Sequence, residues 1–260
     1  MLQHTPLLNL RFFNTSEPDI DVSKNSIFIG ISVGVKPMSE TLARAYIEWA
    51  VNRAEGKVKI LIADEIARFN HMVFSHSTAP GALSRSLRDG DKYIAFFANA
   101  LQNMPHEFNE RTEIIRWRDI CGTRFQEVYE YVQYEFENNL EFRKELIYFI
   151  NKYTERRKSL SETKKLELCQ YLLHELPTLL DGIHHAGTNH NLILYPTYVH
   201  SGMSELVADI QGRRRYPNLA RKIKSPRQTK MVEALITDLE ISVDEVAPEI
   251  TATYRSFHLA

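Results

Sequence analysis

The stretch IFIGISVG at residues 27–34 is the first strongly apolar run of the chain, and a second one, KVKILIA, occupies residues 57–63. Both have the length and composition of buried strands. Between them, apolar residues recur every three and four positions up to about residue 55, which predicts a helix with Ser39 as its N-cap and Gly56 after its end. A strand, a helix and a second strand form a β-α-β unit with parallel strands. The sequence therefore predicts an α/β fold with a Rossmann-like, mainly parallel sheet flanked by helices.

The rest of the chain continues this alternation, and we expect one Rossmann-like domain over residues 1–260. Periodicity predicts helices near residues 65–74, 82–102, 161–176 and 203–211, a long helical stretch over residues 124–153 with a break near residues 138–139, and strands near residues 112–117 and 191–195. Residues 230–236 fit a strand or a helix equally well. We expect Pro177 to kink or end the helix that precedes it, because proline lacks a backbone N–H.

Composition excludes several classes of protein. Of 260 residues, 43% are hydrophobic and 25% are charged, which is typical of globular domains and excludes disordered and fibrous chains. The first residues contain no continuous apolar signal region, and no later run reaches membrane-spanning length, so we expect a cytoplasmic protein without membrane contact. We also expect a monomer. Cys121 and Cys169 have no neighbours at metal-ligand spacing, and the sequence predicts no metal site.

Charge is unevenly distributed although the net charge is only -1. Residues 213–230 contain eight basic side chains and no acidic one. Such a run is either a solvated surface or a patch that contacts phosphates. The residues considered for a phosphate contact are Arg213, Arg214, Arg215, Arg221, Lys222 and Lys224.

Ser32 ends the first predicted strand, and Gly30 precedes it by two positions. In open α/β sheets, ligands bind at the carboxyl edge of the strands, so a serine there is a candidate nucleophile beside a glycine that lets a substrate approach the backbone. Glycine and serine also occur at strand ends for turn reasons. Both interpretations of Ser32 are open at this point.

A second group of polar residues follows later in the chain. Tyr171 and Glu175 are four positions apart on a predicted helix and therefore share one face among leucines. A buried carboxylate requires a cation or a hydrogen-bond donor, which Tyr171, a structural arginine or a substrate ammonium could supply, unless Glu175 faces solvent. Tyr195 ends another apolar strand, so in a parallel sheet it lies at the same edge as Ser32.

Three separated motifs occur in order: Gly30-Ile31-Ser32, then Tyr171-x-x-x-Glu175-Leu176-Pro177, then Tyr195-Pro196, with 20 positions from Glu175 to Tyr195. Together they resemble the cyclodipeptide synthases over roughly residues 27–200. The resemblance implies a fold akin to the catalytic domain of class I aminoacyl-tRNA synthetases. It also implies an enzyme that joins amino acids from two aminoacyl-tRNAs into a cyclic dipeptide. Val35, Tyr195 and Pro196 stand at marker positions and resemble the family branch with any residue, Tyr and Pro.

The resemblance also implies roles for these residues. Ser32 would accept the first aminoacyl group, and Tyr171 and Glu175 would hold its α-ammonium. The amine of the second aminoacyl-tRNA would then attack to give a dipeptidyl enzyme, and Tyr195 would relay a proton during ring closure. An ester on tRNA is already activated, so we expect no ATP, metal or other cofactor, and the sequence contains neither HIGH nor KMSKS. No histidine or lysine adjacent in sequence explains the activation of Ser32.

Two binding surfaces complete these expectations. The pocket for the first amino acid is expected to be apolar and therefore suited to a small or aliphatic side chain; its expected residues are Phe28, Gly30, Val35, Ile62 and Pro196. Family members carry tRNA-contacting arginines on a helix in the first half of the chain, whereas residues 93–102 contain no basic residue. We expect Arg85, Arg88 and Lys92 to substitute for them, or else the basic segment at residues 213–230.

Two alternatives remain open. Residues 30–34 satisfy the G-x-S-x-G pattern of α/β-hydrolases, in which His184, His185, His190 or His200 would act as the base of a serine esterase. Only 31 residues precede Ser32, and Pro37 delays the next helix, both of which disfavour a nucleophile elbow. In the other alternative, the chain is a non-catalytic tRNA-binding module and Ser32 merely ends a strand.

Overall fold

A six-stranded sheet with the order β1-β8-β7-β2-β3-β4 lies at the centre of the computed structural model, which describes residues 8–13, 26–33, 38–155, 160–196, 201–223 and 229–236. Five strands run parallel, and β1 pairs antiparallel with β8 at one edge. The strands of this sheet are β1 Leu8–Phe13, β2 Ile27–Ser32, β3 Val58–Ala63, β4 Thr112–Arg116, β7 Leu192–Tyr195 and β8 Lys230–Ile236. A separate hairpin consists of β5 Ile183–His185 and β6 Thr188–His190.

Helices cover both faces of the sheet. They are α1 Glu40–Arg53, α2 Arg68–Phe74 after a 3-10 turn at Glu65–Ala67, α3 Ala79–Gln102, α4 His106–Glu110, α5 Trp117–Ile120, α6 Thr123–Asn138, α7 Leu140–Thr154, α8 Glu162–Asp181, α9 Ser201–Gln211 and α10 Pro217–Ile223. Within the described ranges, no helix has the length and hydropathy needed to cross a membrane.

The predicted β-α-β unit is confirmed. Ser39 caps α1 by accepting a hydrogen bond from the backbone N–H of Leu42 at 3.3 Å. β2 and β3 run parallel, and Ser32 is in register with Ala63. This register places the carboxyl ends of the two strands at the same edge of the sheet, and β7 ends there as well.

Side chains of β2 alternate between two hydrophobic cores. Its three isoleucines face α1 and the second half of α3, whereas Phe28 faces the layer formed by α6, α7 and α8. Because strand side chains alternate with a period of two, Gly30 and Ser32 share the face of Phe28. The candidate site therefore lies between the sheet edge and the α6–α8 layer.

The end predicted for the helix at residues 161–176 was wrong, because α8 continues through Pro177 to Asp181. An internal proline costs a helix about 3 kcal/mol. Leu179 and Leu180 in the following turn are fully buried, and burial of a leucine is worth about 1.5–3 kcal/mol each. Core packing therefore offsets the lost backbone hydrogen bond. Residues 230–236 form a strand because they pair with β7 and β1, two partners that local sequence does not reveal.

Gly90 allows α3 to pass close to the end of β3. Asp64, which follows β3, is fully buried and binds Arg116 at 2.8 Å, and a Cβ on residue 90 would lie 2.6 Å from the Asp64 Cβ. We expect Gly90→Ala to lower the free energy of unfolding by about 1–3 kcal/mol, although alanine normally favours a helix. Urea unfolding measures this, with Gly56→Ala as control because no atom lies within 4 Å of its added Cβ. A more stable Gly90→Ala protein would contradict the close packing.

Candidate active site

Ser32 and Tyr195 meet at the carboxyl edge of the sheet, as their positions at the ends of two parallel strands predict. Ser32 Oγ lies 3.1 Å from Tyr195 Oη, and both side chains are half-buried. The Tyr195 ring lies over Gly30, because a Cβ on residue 30 would be 3.4 Å from Tyr195 Cε2. Gly30 thus leaves room for the ring that contacts the candidate nucleophile.

α8 contributes the other two polar side chains from the facing layer. Tyr195 donates its hydroxyl proton to Glu175 Oε1 at 2.6 Å, a short bond typical of a charged acceptor. Tyr171 Oη lies 3.5 Å from Ser32 Oγ, at the long limit of a hydrogen bond. The structure therefore brings together all four predicted catalytic residues, but the donor to Glu175 is Tyr195 and not Tyr171.

The direction of the hydrogen bonds follows from the proton count. A tyrosine hydroxyl carries one proton, and that of Tyr195 is directed to Glu175. The bond between Ser32 and Tyr195 therefore has Ser32 as its donor while Glu175 is ionised. The hydrogen bonds therefore run from Ser32 to Tyr195 and from Tyr195 to Glu175. Tyr195 is the hydrogen-bond acceptor for Ser32 that inspection of the sequence did not reveal.

Burial shifts the pKa values of the residues in this series of hydrogen bonds. It raises the pKa of Glu175 above the ordinary carboxyl value, although the hydrogen bond from Tyr195 opposes the shift. Burial, with the nearby Glu175 and Tyr171, raises the pKa of Tyr195 well above that of a free tyrosine. Tyr195 therefore stays protonated at neutral pH.

The Glu175 carboxylate has no cationic partner among the described residues. Across the residues that the structure describes, Tyr195 is its only hydrogen-bond partner, and no arginine, lysine or histidine forms a salt bridge with it. A half-buried carboxylate without a cation is unfavourable, and a bound ammonium group would remove that cost. Of the partners that the sequence left open for Glu175, a structural arginine is not found among the described residues.

One predicted pocket residue was wrong. Ile62 belongs to the core on the α1 side of the sheet, because it is in register with Ile31 and not with Gly30. Leu61 and Ala63 lie on the face of Gly30 and Ser32 instead, since they are in register with these two residues. The alternation of side chains in KVKILIA separates the two faces of β3. The sequence does not give the register of β3 relative to β2, which decides the residues that share a face with Ser32.

The remaining pocket predictions differ in outcome. Phe28 is buried on the same face as Ser32. Pro196 is buried next to Tyr195, and its carbonyl accepts a hydrogen bond from Tyr46 at 3.1 Å. Val35 lies outside the described residues.

The first set of predicted basic residues forms an exposed stripe on α3. Arg85, Arg88 and Lys92 are three and four positions apart, so they occupy one face of the helix, and all three are exposed. Lys92 also contacts Asp89 at 2.7 Å. The close contact of Gly90 with Asp64 places this part of α3 beside the carboxyl end of β3.

The second set of predicted basic residues is less available for phosphate contacts than its sequence indicates. Arg214 and Arg215 both bind Asp209 on α9, and Arg215 also binds Glu145 on α7. Glu145 is distant in sequence, and Asp209 precedes the basic run. A search for runs of charge therefore does not pair these acids with the arginines.

The other members of this set are distributed differently. Arg213 and Arg221 are exposed, and Lys222 Nζ lies 4.3 Å from the centre of the Tyr134 ring. Lys224 lies outside the described residues.

The hydrolase alternative lacks its histidine in the part of the chain that the structure describes. There, the hydrogen-bond partners of Ser32 Oγ are the two tyrosines. His184 binds Asp181, and His190 is buried in the hairpin. His200 lies outside the described residues.

Comparison with solved structures shows the fold. The chain is similar to a cyclodipeptide synthase from Bacillus thermoamylovorans, with a TM-score of 0.68 and 18% identity over 90% of this chain and 98% of that one. A Mycobacterium tuberculosis protein, whose structure relates cyclodipeptide synthetases to type I tRNA synthetases, gives a TM-score of 0.65 and 13% identity over 92% and 99%. A cyclodipeptide synthase from Candidatus Glomeribacter gigasporarum, solved bound to Phe-tRNAPhe, gives 0.54 and 17% over 86% and 93%. These similarities confirm the predicted class I synthetase-like architecture.

Comparison of sequences adds the family. No curated protein matches the chain. A family model described as cyclodipeptide synthase matches residues 15–214, which is most of the sequence and includes Ser32, Tyr171, Glu175 and Tyr195. With this match, a fold shared with solved members and the four side chains assembled at one sheet edge, the chain belongs to the cyclodipeptide synthase family.

Proposed function

We propose that this protein is a tRNA-dependent cyclodipeptide synthase that works by ping-pong catalysis through aminoacyl and dipeptidyl esters of Ser32. The observation that supports this most strongly is the hydrogen-bonded chain from Ser32 through Tyr195 to Glu175. In a member of this family, this series of hydrogen bonds gives Ser32 a proton acceptor. It also leaves the Glu175 carboxylate without a cationic partner, so that a substrate ammonium can bind there. The substrates are two aminoacyl-tRNAs, and the ester bond of each supplies the activation, so the reaction needs no ATP.

In the first transfer, Ser32 Oγ attacks the ester carbonyl of an aminoacyl-tRNA. A new ester forms on Ser32, the bond to the terminal ribose breaks, and the ribose oxygen takes up the proton that Ser32 released, which Glu175 returns through Tyr195 so that Glu175 is ionised again. Ser32 gives its proton to Tyr195 while Tyr195 gives its own to Glu175, so no charged serine or tyrosine accumulates. In this proposal, Glu175 and Tyr171 hold the α-ammonium of the bound residue.

The second transfer requires a correction to the direction expected from the resemblance. If the amine of the second aminoacyl-tRNA attacked the Ser32 ester, the dipeptide would remain on the tRNA. A dipeptidyl enzyme forms only when the amine of the Ser32-bound residue attacks the second ester and the second tRNA leaves. That amine is first an ammonium group and must lose a proton, which Glu175, whose pKa is raised by burial, accepts and passes to solvent. The ribose oxygen of the second tRNA then leaves with a proton from the attacking amine.

Ring closure completes the cycle. The free amine of the dipeptide attacks the Ser32 ester, a second amide bond forms, and the Ser32 oxygen leaves as a hydroxyl. Tyr195 gives its proton to the Ser32 oxygen and takes one from Glu175, which accepts the proton that the attacking amine loses, so the relay runs opposite to the first transfer. The two ester bonds of the substrates become the two amide bonds of a diketopiperazine, and the enzyme returns to its starting state.

The first amino acid is proposed to occupy the space beside Gly30. The sheet face there carries Phe28, Leu61 and Ala63, all apolar. This favours a small or aliphatic side chain.

Mass spectrometry of medium from an expressing bacterial host tests both activity and selectivity. A diketopiperazine absent from the empty-vector culture is expected, and soluble protein that yields none would contradict the proposed function.

The exposed stripe on α3 is proposed to contact tRNA phosphates. Replacing Arg85, Arg88 and Lys92 together with glutamine removes three exposed cations, so the slope of log affinity against log salt should fall by about 2–3. Fluorescence anisotropy with labelled tRNA at several KCl concentrations measures this. The matched control replaces Arg213, Arg221 and Lys222, which are also exposed. A larger loss in the control protein would assign the contact to residues 213–222 instead.

A further inference from the structure

The strand that carries Tyr195 separates from β2 just before this residue. Within the described residues, the ladder between β2 and β7 pairs Leu192, Ile193 and Leu194, and it ends there. Tyr195 keeps a neighbour only on the other side, where it is in register with β8. The next residue, Pro196, has no backbone N–H and cannot extend the ladder. On the side that faces Ser32, ordinary strand pairing therefore does not fix Tyr195.

Tyr46 supplies a contact at this point. It lies on α1, its side chain is 1% exposed, and its hydroxyl donates to the Pro196 carbonyl at 3.1 Å. Burial also raises its pKa, so the hydroxyl remains a donor at neutral pH. α1 covers the sheet face opposite the active site, and Tyr46 thus reaches the end of β7 from the side away from substrate.

The position of Tyr195 has to be accurate for the proposed reaction. Its hydroxyl bridges Ser32 at 3.1 Å and Glu175 at 2.6 Å, and its ring rests over Gly30. A small shift of the backbone at residue 195 would lengthen both bonds, and shifts of about 1 Å can cost a hundredfold in rate. We infer that Tyr46 is a positioning residue, which holds Tyr195 in the proton chain by binding the carbonyl of Pro196. This inference rests on the proposed function of Tyr195.

The test is a double-mutant cycle with Tyr46→Phe, Tyr195→Phe and the combined protein. Tyr46→Phe removes one hydroxyl and keeps the buried ring. The control is Tyr216→Phe, which removes a hydroxyl that donates to Glu145 at 2.8 Å, outside the active site. Cyclodipeptide formation from preformed aminoacyl-tRNA gives kcat and KM, at a temperature where circular dichroism shows all four proteins folded.

We expect Tyr46→Phe to lower kcat about tenfold while KM stays within about twofold, and Tyr216→Phe to leave kcat unchanged. The combined protein should be no slower than Tyr195→Phe, because Tyr46 acts only through Tyr195. A wild-type kcat for Tyr46→Phe, or a further tenfold loss in the combined protein, would overturn the inference. A wild-type rate for Tyr195→Phe would instead overturn the proposed role of Tyr195, so the two failures are distinguishable.

Discussion

Ser32→Ala is expected to abolish cyclodipeptide formation, with a loss of at least about a thousandfold, because no acyl group can be held without the hydroxyl. The substituted side chain is half-buried and small, so the fold should persist. Binding of tRNA and its salt dependence should be unchanged, since the proposed phosphate contacts lie on α3. Product formation by mass spectrometry and binding by anisotropy are measured on the same preparation.

The control for this variant is Ser39→Ala. Ser39 caps α1, and its loss should cost about 1 kcal/mol of stability while activity is retained. If Ser32→Ala still made product, the covalent mechanism would be wrong. If it kept every biological effect without product, the non-catalytic tRNA-binding alternative would be favoured.

Glu175→Gln is the second large effect that we expect, a loss of about a hundredfold or more at neutral pH, the range of general acid-base catalysis. In the proposed mechanism, only ionised Glu175 accepts a proton from Tyr195 and binds the substrate ammonium. Burial raises the pKa of Glu175, so activity should fall as pH decreases through a value above that of an ordinary carboxyl. Rates from pH 5 to 8 should show this acid limb in the wild type and not in Glu175→Gln.

The pH dependence of stability should be opposite to the pH dependence of activity. A carboxyl whose pKa is raised in the folded state stabilises the fold fully below the unfolded pKa and loses that contribution as pH rises through the folded pKa. Glu175→Gln removes the cost of a buried charge, so this protein should be more stable than the wild type near pH 7 and similar near pH 4. Glu167→Gln, on the same helix, should change neither activity nor this pH dependence. A less stable Glu175→Gln protein would contradict the absence of a cation partner.

Sequence patterns predicted the architecture and the meeting of Ser32 with Tyr195 for a physical reason. Both residues end apolar strands, and parallel strands share one carboxyl edge. The bond from Tyr195 to Glu175 could not be predicted, because it depends on how α8 packs on the sheet. Periodicity fixes which residues share a helix face but not the distance to another element.

The errors have equally local causes. Ile62 was assigned to the wrong face because a shift of one residue in strand register moves every side chain to the other side. Pro177 did not end α8, since burial of the following turn outweighs the local preference. The arginines at residues 214 and 215 gained acidic partners from α7 and α9, which tertiary structure alone brings near.

The covalent intermediate on Ser32 is the centre of this account. Purified protein mixed with one preformed aminoacyl-tRNA should gain the mass of one aminoacyl group, and peptide mapping should place it on the peptide that contains Ser32. Addition of a second aminoacyl-tRNA should remove this mass as the diketopiperazine appears. Product formation without any adduct, or an adduct on a residue other than Ser32, would contradict the account.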